Sequence, residues 1–392
     1  MDLDIKYKVG GTFRIATILM VLIGIIAIVM GFMSGETDRT WANLLLNNFY
    51  FLSLAIGATF WMTMSAITQA GWSTAYLRIP QAMSMWLVIS FVLWFFMFFG
   101  IHDLYHWTHP DAVAHDPILM HKSGYLNVPF FTIRFVIFFA LWILLTFLLR
   151  NMSIKQDTAA EGENVRLFEK FEFTSKITIF VLAFSFSLFA IDWLMSLDPH
   201  WYSTIYAFKK FVSAFLHGTA IITAIAVLLH MNGYLPMLTK SHKADFSRYI
   251  FALSIIWGYM WLSQYLLIWY ANIPEETIYY VPRIMSDYKE FFYAELILNW
   301  LIPFLFLMWN RVGKTNWGLL TITAVLIIGQ WVELYMSIMP GTVDSHSISY
   351  IEIGSFIGYF GLFALVIATV LSKANLIPKH HPYLMESLHD DH

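Results

Sequence analysis

Several ionisable residues fall inside or at the ends of long apolar runs: His102 and Asp103, Asp192, Glu295, and Glu333. A charge placed in hydrocarbon is expensive and is kept there for a reason. Burial disfavours the charged form of any carboxylate, so acids at such depth suit proton exchange. The richest stretch is Asp192 to Thr204, D-W-L-M-S-L-D-P-H-W-Y-S-T, where Asp192, Asp198, His200 and two tryptophans sit between two apolar runs. Helical spacing extends the set. Ser185, Asp192 and Ser196 share one helical face, as do Thr323, Gln330, Glu333 and Ser337. Thr219, Thr223 and His230 share another, and His217 follows Ser213 by four. Polar stripes of this kind suit a proton wire, a quinone headgroup pocket or plain interhelical hydrogen bonding.

Composition removes other chemistries. There is no cysteine, which excludes disulfides, thiolate nucleophiles and cysteine-held zinc, iron–sulfur or c-type haem in this chain. No cofactor is bound covalently, and redox chemistry must use a bound or neighbouring group. His102 and His106 lie four apart at a helix end without a third ligand, so no metal site is expected. His217 and His230 lie at different depths of one helix, with no facing histidine for a b-type haem. A net charge of −3 gives no reason to expect nucleic acid.

These residues are positioned by an all-α polytopic membrane fold. The 392 residues are 59% hydrophobic and only 12% charged, with mean hydropathy +0.63. Ten apolar runs are predicted as spans: 13–33, 44–69, 82–101, 130–149, 173–196, 205–230, 249–271, 291–309, 317–337 and 351–371. Backbone amides in lipid must bond internally, so each run is read as a helix. The first run is too long for a signal peptide and is read as a retained span. The expected division is an N-terminal segment 1–12, a ten-helix domain 13–372 and a tail 373–392. Within it, four-helix bundles over 44–196 and 205–337 are flanked by helices 13–33 and 351–371.

Ten spans put both termini on one side. Sixteen of the 23 Lys and Arg residues fall on that side and seven on the other, so the termini are expected to be cytoplasmic. The loops at 34–43, 102–129, 197–204, 272–290 and 338–350 then face the periplasm. The stretch 151–172 reads as a polar linker or short surface helix, and His380–His392 as a frayed tail.

Two stretches carry a family resemblance: Asp192–Thr204, and Gln264–Thr277, Q-Y-L-L-I-W-Y-A-N-I-P-E-E-T. A third, Asp116–Arg134, D-P-I-L-M-H-K-S-G-Y-L-N-V-P-F-F-T-I-R, is moderately specific. Together with the number of spans, they resemble the smaller ten-helix membrane subunit of bacterial alternative complex III, within the NrfD-like polysulfide-reductase anchor superfamily. The resemblance implies a bacterial inner-membrane subunit of a quinol:electron-acceptor oxidoreductase, not catalytic alone. It implies a menaquinone or ubiquinone pool and a sister NrfD-like subunit that binds quinol. Further implied partners are an iron–sulfur subunit, c-type haem subunits, a terminal oxidase and lipids. Asp192, Asp198 and His200 carry over as motif positions. A secondary transporter and an inert scaffold are the competing readings. A transporter would show paired helix breaks, whereas only Pro303 interrupts a span.

Overall fold

A computed structural model describes residues 4–160, 162–343 and 348–388. Asp344 to Ser347 of the loop expected at 338–350 lie outside the described residues. So do Met1 to Leu3, Glu161 of the expected linker and the last four residues of the tail. Ten helices are long and apolar enough to cross a membrane. They are α1 (Gly11–Met33), α2 (Thr37–Ile67), α3 (Arg78–Leu104), α4 (Val128–Gln156) and α5 (Glu163–Leu197). After these come α6 (Thr204–Met231), α7 (Lys240–Ala271), α8 (Lys289–Leu307), α9 (Asn316–Gly341) and α10 (Tyr350–Leu371). Among the described residues there is no strand, only a bridge between Lys6 and Asn375. The chain is an all-helical, multi-pass membrane protein.

Each helix coincides with a predicted run, but several extend beyond it into polar sequence. Hydropathy finds the part in lipid, whereas capping decides where the helix ends. The Thr239 hydroxyl accepts from the amides of Ser241 and His242, so α7 starts nine residues before its apolar run. The expected linker at 151–172 shrinks as well. Helix α4 runs on to Gln156 and α5 begins at Glu163, after Gly162 in the left-handed region (φ 86°).

Helices α2 and α6 form the centre. They meet where Gly57 faces Gly218, and a Cβ on Gly57 would lie 1.9 Å from the Ala214 carbonyl oxygen. Helices α3, α4 and α5 pack around α2, and α7, α8 and α9 around α6. Helices α1 and α10 pack together at Gly24 and Gly358. A two-point ion pair fastens α10 to α2, with Arg39 donating to Glu352 at 2.7 and 2.9 Å. Outward-facing side chains such as Phe180 (68% exposed) and Phe184 (71%) suit contact with lipid.

The tail departs from expectation over its described part. Leu384–Leu388 is a short helix packed against Gly71–Tyr76. The Ser387 hydroxyl donates to the Trp72 carbonyl at 2.7 Å and accepts from the Ala75 amide at 3.2 Å. His381 lies edge-on to Phe168. Its burial, with the Arg78 charge beside it, pushes the imidazole down to about 4. A histidine kept neutral when docked favours release on acidification. Docking strength is intact above the ordinary value of 6.5 and falls as pH drops from there to about 4. The full loss is about 3 kcal/mol. Amide protection across 384–388, measured against the intrinsic exchange rate at each pH, should therefore fall between pH 6.5 and 4.5 in wild type and stay flat in His381→Phe. Equal pH profiles would refute the coupling.

Candidate functional site

The opposite face is built by the stretches that stand out in the sequence. Asp116 caps the short helix Pro117–Lys122, accepting from the amides of Ile118 and Leu119. Its other oxygen accepts from His200 Nε2 at 2.5 Å. Lys122 donates to the Pro199 carbonyl at 2.5 Å. Arg134, at the end of the same motif, donates to both oxygens of Asp192 at 2.7 and 3.0 Å. Gln264, which opens the Gln264–Thr277 stretch, reaches Ser203 at 3.1 Å. Thus Asp116–Arg134 and Gln264–Thr277 both grip Asp192–Thr204.

The Asp116 clamp has a pH dependence of its own. The bond from His200, helped by the two capping amides, holds this carboxyl below the usual range. A depressed acid favours the clamped form above its ordinary value, and that preference disappears as pH falls through the lowered one. Protection of the Ile118 and Leu119 amides, measured against the intrinsic exchange rate at each pH, should fall on acidification. Asp116→Ala, which removes the cap, should show low protection at every pH, and high protection in that variant would count against the clamp.

Asp192 corrects an expectation. It is buried at the end of α5, but it is locked against Arg134. The guanidinium also donates to the Tyr125 carbonyl at 3.0 Å and lies 3.9 Å from the Tyr125 ring centroid. An arginine does not give up its proton in proteins, so this is a structural pair and not a relay. His102 and Asp103 end α3, as the sequence suggests, but they are not buried. Both are exposed in the last turn of α3, where His102 Nδ1 meets the Thr108 hydroxyl at 3.0 Å. Ser185 accepts from Trp142 at 2.7 Å.

The second group, α6–α9, holds a different arrangement. Lys209 and Lys210, adjacent on α6, point to different acids. Lys209 donates to Glu295 of α8 at 2.6 Å. Lys210 donates to Glu333 of α9 at 2.8 Å and to Ser337 at 2.7 Å. The other oxygen of Glu333 accepts from Ser213 at 2.5 Å and from the Trp257 indole of α7 at 3.0 Å. Lys210, His217 and Glu333 are 2% exposed or less, so this network is sealed from lipid.

His217 continues it inward. Asn299 of α8 donates its amide to the carbonyls of Glu295 and Gly329, leaving its oxygen to accept from His217 Nε2 at 2.8 Å. On the other ring edge, Nδ1 lies 2.7 Å from the Ser213 carbonyl. It also lies 3.1 Å from the Ser213 hydroxyl, whose own proton goes to Glu333. Both ring nitrogens therefore face oxygen atoms of the network. Local sequence explains the placement of Asn299. Pro303 has no N–H for the carbonyl four residues back, and a π-helical turn, Ile297–Leu301, precedes it. Asn299 lies in that turn, and Gly329 of α9 leaves room for its side chain.

Arg283 closes the network toward the surface. It donates to Asp198 at 3.3 Å and to the carbonyls of Met336 (2.9 Å) and Ser337 (3.4 Å). It stacks on Tyr279, which in turn stacks on Trp201 at 4.0 Å. Toward the terminal face the polar set thins out. Thr219 and Thr223 bond carbonyls of their own helix. Gln330 ties α9 to Ser53 of α2 at 2.6 Å. His230 stands about 20 Å along α6 from His217, donating to the Leu235 carbonyl at 2.8 Å and facing Lys243. Among the described residues, no three His, Asp or Glu side chains gather as metal ligands.

Arg134, Lys209, Lys210, Arg283, Trp257 and Asn299 escape a reading that follows acids and histidines. A signal was available. Two lysines five and six residues into an apolar run require acid partners, and Glu295 and Glu333 are the acids at matching depth. The chain matches no family model, and no match is found among curated proteins.

Proposed function

We propose that this chain is the proton-handling membrane subunit of a bacterial respiratory quinol-oxidising complex of the alternative complex III type. The observation that carries the reading is the enclosed sequence Lys210–Glu333–Ser213–His217–Asn299, linked at hydrogen-bond distance. It contains two groups that exchange protons, bridged by a serine that bonds both. A fully satisfied carboxylate in a tightly packed site leaves no free partner for a quinone headgroup.

Asp198 and Arg283 connect this store to the face opposite the termini. Arg283 keeps its proton and acts by its field and by shutting the mouth. The excess of Lys and Arg beside the termini makes the storage side periplasmic and both termini cytoplasmic. Four of the seven basic residues on the storage side are internal partners: Arg134, Lys209, Lys210 and Arg283, which sharpens the asymmetry. Along α6 the inner half offers Thr219 and Thr223, tied to their own helix, before His230 near its end, so the chain supplies a half-path and a neighbouring subunit or water completes it. Electrons travel through iron–sulfur and c-haem partners, as the resemblance implies.

The test is the ratio of protons released to electrons transferred when the intact complex, reconstituted in liposomes, is driven by quinol. Glu333→Gln should lower that ratio with all subunits retained. An unchanged ratio would overturn the reading.

A further inference from the structure

A second feature lies on the terminal face, away from the network. A cavity of about 590 Å³ opens between α2, α6 and α10, bordered by the N-terminal segment. Its walls are apolar, with Phe51, Ile225 and Phe363 among them. Polar groups gather at one end, where Tyr7, Lys8 and Asn232 border it. On α10 the lining runs from Phe360 to Leu371. That is about 16 Å of helix rise, or half of a bilayer core of about 30 Å.

We propose that this cleft binds one anionic phospholipid from the leaflet beside the termini. Its acyl chains would lie between α2, α6 and α10, and its phosphate against Lys8. Three observations select this occupant. The depth matches one leaflet. The polar groups are confined to the surface end, while the deep hydroxyl of Tyr50 is engaged with the Ile327 carbonyl at 3.1 Å. Lys8 is exposed and makes no ion pair among the described residues, which leaves a cation at the mouth for an anion. An uncharged isoprenoid quinone would leave that cation unanswered.

The mouth is also fixed in place. The Leu376 amide donates to the Ile5 carbonyl at 2.9 Å, Lys6 bridges to Asn375, and Lys379 pairs with Asp4 at 3.2 Å. Tyr7 packs edge-on to Tyr234 at 5.1 Å. The N-terminal segment is thereby strapped across the rim, and Lys8 is presented where a headgroup would lie.

The full chain, delipidated in detergent, would be titrated separately with phosphatidylglycerol, phosphatidylcholine and menaquinone, and bound adducts counted by native mass spectrometry. One phosphatidylglycerol should bind, about fivefold tighter than phosphatidylcholine, the preference expected from one interfacial lysine. Lys8→Glu, a surface change that leaves the fold intact, should abolish or reverse that preference. Ala364→Trp should block the cleft to both lipids. Equal affinities in wild type, a preference unchanged in Lys8→Glu, or menaquinone displacing phosphatidylglycerol one for one would each overturn the proposal.

Discussion

Asp192→Ala is expected to lower stability by about 3–5 kcal/mol, because it strands a buried guanidinium that stays charged. Arg134 would keep its bond to the Tyr125 carbonyl and its contacts with the Tyr125 and Phe130 rings. Neither supplies a counter-charge. The defect should appear as a lower thermal midpoint of the purified chain and as poor assembly, not as altered turnover per assembled complex. Asp192→Ala combined with Arg134→Met should recover much of the loss, since a well-packed apolar replacement of a buried ion pair is often neutral or stabilising. A single variant that assembles normally but turns over slowly would show that Asp192 has a role in the chemistry.

That result would also separate two things the sequence presents alike. Asp192, Glu295 and Glu333 all read as acids stranded in apolar runs, and their depths were legible. Their partners decide what each does, and partners depend on which helices become neighbours. Arg134 is 58 positions before Asp192, whereas Lys210 is 123 positions before Glu333. No periodicity within one span encodes such a meeting. Hydropathy located all ten helices because the cost of unpaired backbone in lipid is local. Helix ends were missed where the Thr239 cap carries α7, and a start just after Gly162 carries α5, into polar sequence. The loop stretch 192–204 stood out by composition, and the structure adds that the other two distinctive stretches hold it through Asp116, Lys122, Arg134 and Gln264.

Glu333→Gln is expected to leave assembly largely intact and to slow proton transfer by about 100-fold or more, the usual range for removing a positioned proton carrier. The contrast with Asp192 lies in the partner. Lys210 can shed its proton when its carboxylate is removed, and an arginine cannot. Losing the acid therefore leaves no obligatory buried charge in α6. Its ammonium would otherwise keep Ser337 at 2.7 Å, and the Lys209–Glu295 pair nearby is untouched. What disappears is the acceptor that joins Lys210 to Ser213, and with it the step from the mouth at Arg283 to His217. Protons released per electron should then fall to those that quinol oxidation itself liberates. Lys210→Met should act in the same direction but cost more stability, because it leaves Glu333 with only neutral donors, Ser213 and Trp257. If both variants keep the wild-type proton ratio while the Asp192 variant fails to assemble, then the two ion-pair systems are alike structural, and the chain is a scaffold.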